Sequence, residues 1–163
     1  MITGSQAQAG ARTNGSGLVE VVVGAAILSV VALAFLGTLS LLARFHQRDM
    51  LAIKGSLLAE EGIEAVRYIK GSGWAALASL PKDQDRYLEI APASWKATTT
   101  PEIVDGAFYR SFRLSQVRRD ASDVIVASGG TVDPGALLVS STVSWNWRGA
   151  TTSVTYTAYV TSI

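Results

Sequence analysis

A chain of 163 residues, 48% of them hydrophobic, has room for about one folded domain plus an apolar segment. Lys and Arg number 14 against 13 Asp and Glu, a formal net charge of +1, so there is no electrostatic reason to propose nucleic acid as a partner. The absence of cysteine excludes disulfides, thiolate zinc sites and a cysteine nucleophile, and a Ser/His/Asp triad would have to use His46, the one histidine.

Residues 1–15, MITGSQAQAGARTNG, are polar, carry Arg12 as their one charged side chain, and read as a leader and not as a fold element. From Val21 to Ala43 no residue is charged, and a helix of this length would run roughly 35 Å, enough for a hydrocarbon core of about 30 Å. Glu20 stands at the start of this run, where a carboxylate within a bilayer would cost a few kcal/mol or more. Gly24 and Gly37 are points of weakness or of close helix approach. A secretory signal cut after Ala34, at the ALA of residues 32–34, is an alternative that would forfeit the apolar run to Ala43.

From Arg44 to Lys70 the pattern turns amphipathic without a proline, which predicts that the helix continues to about residue 70. Leu51, Leu58, Ala65, Val66 and Ile69 share a stripe with Gly55 and Gly62, narrow enough for a sheet to approach, while Glu60, Glu61, Glu64 and Arg67 lie largely elsewhere. The KGSGW stretch from Lys70 supplies a cationic last turn and glycines, the chemistry of a helix stop.

Beyond it the period becomes two. Phe108, Arg110, Phe112 and Leu114 alternate with Tyr109, Ser111, Arg113 and Ser115; Val139, Val143, Trp145 and Trp147 alternate with Ser and Asn; Val154, Tyr156, Ala158 and Val160 alternate with Ser and Thr. These are half-buried strands, the last two joined as an antiparallel hairpin near Arg148–Ala150, and Tyr87–Ile90 with the region of Trp95 forms a small hairpin. Residues 118–136 are rich in Asp, Ser and Gly and read as a long surface connection with an Asp-Pro-Gly turn. Asp120, Asp123 and Asp133 there are weak calcium candidates, and surface turn chemistry accounts for them equally.

Gly15 at the end of a polar leader, Glu20 five residues on, an uninterrupted apolar run and then an amphipathic helix and strands resemble bacterial type IV pilins and pseudopilins. The resemblance covers nearly the whole chain. It implies a leader of residues 1–15, an apolar transmembrane or filament-core helix over 16–43 and a pilin-like globular domain over 44–163. The implied fold is α+β, a long N-terminal helix (17–70) packed on an antiparallel sheet built from 107–161. It further implies cleavage between Gly15 and Ser16 by a prepilin peptidase and N-methylation of Ser16. Extraction from the inner membrane by an assembly platform then leads to a helical filament of copies of the chain and other pilins.

On this expectation the protein is a structural subunit and not an enzyme, needs no cofactor, and passes from a single-pass inner-membrane state to a surface or periplasm-spanning filament. Glu20 would pair with the new amino terminus about one helical turn away and set the register of assembly. A pseudopilin of a type II secretion or DNA-uptake system shares every one of these residues. A monomeric, singly anchored binding domain is the alternative in which Glu20 has no partner.

Overall fold

A computed structural model describes residues 14–92 and 94–163, with side chains from residue 17 onward. Residues 1–13 of the expected leader lie outside the described residues. The chain divides into two compact units, one ending at Gln47 and the other comprising Arg48–Ile163, and a single helix, α1 (Asn14–Gly71), contributes to both.

In the first unit every described residue from Asn14 to Gln47 is helical. The run has no proline to remove a backbone donor, and two of its hydroxyls bond within the helix: Ser29 Oγ donates to the Ala25 carbonyl at 2.7 Å and Thr38 Oγ1 to that of Ala34 at 3.0 Å. This satisfies those two hydroxyls internally, which suits a lipid environment. Neither Gly24 nor Gly37 breaks the helix.

The second unit joins the remainder of α1 to a short helix α2 (Trp74–Ala78) and seven antiparallel strands: β1 (Tyr87–Ala91), β2 (Ser94–Thr98), β3 (Ile103–Val104), β4 (Phe108–Arg119), β5 (Ile125–Val126), β6 (Thr131–Trp147) and β7 (Ala150–Thr161). The main sheet has the order β3-β4-β6-β7, with β5 also on β4, and β1 and β2 form a separate hairpin. This is the α+β architecture expected from the change of period. Arg148 and Gly149, with φ of 55° and 86°, make the two-residue turn between β6 and β7, and Asn146 Oδ1 accepts from the Gly149 amide at 3.0 Å.

The core lies between the α1 stripe and one sheet face. Leu58, Ala59, Ile63, Ala65, Val66 and Ile69 pack on Phe108, Phe112, Leu114, Leu137, Val139, Val143, Trp145 and Val160. The two helix glycines set the approach distance. A Cβ on Gly55 would fall 2.5 Å from Trp145 Cζ3, and one on Gly62 would fall 2.2 Å from Ser141 Oγ. Trp74 and Trp95 pack partly buried against this core, and Trp147 likewise beside Trp145.

Two stretches differ from expectation. α2 was not foreseen, because five residues are too few to show a helical period. Much of the supposed surface connection over 118–136 is sheet: β4 runs to Arg119, β5 pairs with it, and β6 begins at Thr131. The Asp-Pro-Gly sequence is a bulge and not a free turn. The register jumps there from Gln116↔Leu137 to Val117↔Asp133, and the proline sits where its missing amide costs no ladder bond.

Gly55→Ala gains helix propensity of at most about 1 kcal/mol, but its methyl must displace a tryptophan ring already packed on Phe108 at 5.7 Å between centroids. Over-packing of this kind costs about 1–3 kcal/mol, so the variant should be net destabilised in denaturant unfolding, whereas Gly24→Ala, with open space around it, should not.

Candidate functional site

The largest chemically unusual surface belongs to α1. From Leu18 to Leu42 its Val, Leu, Ile and Phe side chains are exposed, and no described side chain of residues 17–47 is buried. One N-terminal helix is thus long and apolar enough to cross a membrane. Glu20 is exposed at its start and has no ion-pair partner among the described residues. Gly15 and Ser16 fall in the first turns of α1, which begins at Asn14, just before the proposed cut. A cut there would make Ser16 the new terminus, leaving Glu20 one turn inside, where the helix dipole favours a carboxylate.

Within the second unit α1 carries a second apolar stripe. Met50, Ile53 and Leu57, spaced by three and four, are 64%, 58% and 61% exposed on the side opposite Leu51 and Leu58, which face the sheet. Sequence reasoning picked out only the sheet-facing stripe, although the 50, 53, 57 spacing was there to find. His46, also exposed, belongs to no converging group of three or more His, Asp or Glu among the described residues.

The arginine at the heart of the fold is Arg110, placed by strand alternation on the inner sheet face and only 2% exposed. Its Nη1 lies 3.3 Å from Glu61 Oε2 on α1, close enough for an ion pair but misaligned for a hydrogen bond, and its Nη2 lies 3.7 Å from Glu102 Oε2. Trp95 of the β1–β2 hairpin lies beneath the guanidinium at 5.1 Å. Arg110 therefore ties α1, the hairpin and β4 together from inside, and Glu61 is engaged by an arginine of its own chain.

Arg119 dominates the loop of the calcium candidates. Its Nε donates to Asp133 Oδ2 at 2.7 Å, its Nη1 donates to the Asp123 carbonyl at 2.9 Å, and the Asp123 carboxylate lies 3.5 Å from Nε. The Asp120 carboxylate accepts from the amides of Ser122 and Val124 at 2.8 and 3.0 Å, a turn-forming role. A guanidinium thus stands between Asp123 and Asp133, and among the described residues no group of three or more His, Asp or Glu converges to hold a metal ion. The hydrogen bond from Arg119, aided by the Gly135 amide, holds the Asp133 carboxyl below the usual carboxylate range.

No protein-family model, curated protein or solved structure matches the chain.

Two outcomes follow for these charges. Glu61→Gln with Glu102→Gln strands a buried cation and should cost about 2 kcal/mol in denaturant unfolding, the moderate figure reflecting the half-exposed glutamates; Arg110→Met, which removes the charge and keeps the volume, should cost less. Because the folded-state pKa of Asp133 is lowered, its contribution is present above its unfolded pKa and fades as pH falls through the folded value. Asp133→Asn should therefore lower the melting temperature at neutral pH, and its deficit against the unaltered chain should shrink below about pH 4.

Proposed function

We propose that the chain is a type IV pilin-like prepilin, a non-enzymatic subunit cut between Gly15 and Ser16, N-methylated on Ser16 and assembled into a helical filament from the inner membrane. The observation that carries this reading is the apolar surface of α1. It covers the span, and within the second unit α1 exposes a further apolar stripe of Met50, Ile53 and Leu57, away from the face that the chain's own sheet covers. A simple anchor needs apolar side chains only across the hydrocarbon, and a contiguous apolar patch on the folded part calls for a partner.

Copies of α1 packed side by side meet both needs. In that bundle Glu20 of one copy lies within reach of a Ser16 ammonium, its own or a neighbour's, and the low dielectric strengthens their attraction. Small residues such as Gly24, Ala25, Ala26 and Ser29 permit close contact between helices. One contact repeated head to tail without closing yields a filament. A prepilin peptidase, an inner-membrane assembly platform and other pilins are the partners this reading requires.

Glu20→Ala should abolish filament recovery in sheared surface or periplasmic fractions while leaving membrane insertion and leader removal intact. Intact mass of the unaltered protein from cells should show loss of residues 1–15, with an added methyl group on Ser16. Loss of residues 1–34, an uncut chain, or normal assembly of the Glu20→Ala variant would each defeat the reading.

A further inference from the structure

The packing of α1 on the sheet is closed along one flank and open along the other. On the closed flank the outer edge of β4 is covered in three places, by β3, by the Arg86–Phe112 bridge and by β5, and Trp95 of the β1–β2 hairpin is brought over Arg110. On the open flank β7 pairs, among the described residues, with β6 alone. Its sequence ATTSVTYTAYVT has no charge and no proline, and its ladder with β6 has no bulge. Those are the devices that ordinarily stop an edge strand from recruiting another chain.

The core is incompletely covered beside this edge. Tyr156, opposite the buried Ser141 in the ladder, is 40% exposed, and a groove of about 610 Å³ runs between β7 and α1, with Ile63 and Ala158 at its base and Glu60 and Glu64 on its helix wall. Glu64 is engaged by Arg67, whereas Glu60 has no ion-pair partner among the described residues. The hairpin on the closed flank has a free edge of its own. Among the described residues strand β2, SWKAT, pairs only with β1, contains no carboxylate and exposes Lys96, which stands opposite Glu89 in the ladder without forming an ion pair.

We propose that the β2 edge of one copy docks on the β7 edge of the next, adding a strand across the subunit boundary with Lys96 facing Glu60. This rests on the filament reading. Copies repeated head to tail share one polarity, so β7 cannot meet another β7 about a two-fold axis, and the complementary surface is the opposite flank of the same domain. Main-chain hydrogen bonds supply the adhesion, as in other strand additions, and the Lys96–Glu60 pair supplies the register.

The test uses the full chain in cells that assemble it. Lys96→Glu and Glu60→Lys should each lower sheared filament yield about tenfold, because each turns an attraction into a like-charge contact, and the double reversal should restore most of it. Because the chain has no cysteine, Thr98→Cys, on the Lys96 face of β2, with Tyr156→Cys, on the helix-facing side of β7, should give a ladder of oxidised dimers, trimers and higher species, and either cysteine alone should give none. Single reversals that assemble normally, a double reversal that fails to rescue, or disulfide dimers from Tyr156→Cys alone would overturn the docking while leaving the filament reading intact. Absence of filaments from the unaltered chain would overturn both.

Discussion

α1 carries more apolar surface than its own sheet can cover, and the rest of the molecule is arranged around that excess. The sheet takes one stripe, from Leu51 to Ile69, leaving Met50, Ile53 and Leu57 on the other side and the whole of the span uncovered. At about 25 cal/mol for each Å² of apolar surface removed from water, such an expanse cannot remain in contact with solvent without a large penalty. A bilayer can take the span. It has no claim on a stripe that the folded unit itself presents, and in the proposed filament a second apolar helix would cover both kinds of surface.

The sheet-facing stripe shows how closely the two layers are fitted. Gly55 and Gly62 remove the Cβ atoms that would strike Trp145 and Ser141, so α1 comes nearer to β6 than an alanine-bearing helix could. That closeness buries Arg110, whose charge is then answered from three elements at once, by Glu61, Glu102 and the ring of Trp95. Such an arrangement contributes little net stability, since desolvation of the guanidinium offsets most of the attraction. Its effect is on geometry, because a hairpin seated elsewhere would leave a buried cation unanswered.

Much of this was legible in the residues. The helix, its glycine-bearing stripe, the alternation of the long strands and the Arg148–Gly149 turn all have local causes, and each forms where its pattern places it. The stretch 118–136 misled because Asp, Pro and Gly serve a bulge as well as they serve a loop, and only pairing with β4 separates the two. Period-two alternation put Arg110 inside but did not name its partners, which come from residues 61, 95 and 102. Two of the aspartates that suggest a cation site by composition, Asp123 and Asp133, enclose Arg119, a partner no spacing rule reveals. The second apolar stripe escaped notice because a helix apolar on two faces has a weak amphipathic signal, so one stripe masks the other.

A featureless apolar helix also raises a problem that packing cannot solve. Leu, Val and Ile stripes pack almost equally well after a slide of one helical turn, so a bundle held by them alone would have many registers of similar energy. Coiled coils meet the same difficulty with a single polar residue in the seam, which sacrifices stability to specify one alignment. In the proposed filament Glu20 would act in this way. It is the one charge between the Gly15–Ser16 bond and Arg44, and an ammonium at Ser16 would be its counter-charge in only one register. Every other alignment strands a carboxylate among apolar side chains, so the cost of Glu20 in lipid becomes the energy that separates the correct register from the rest.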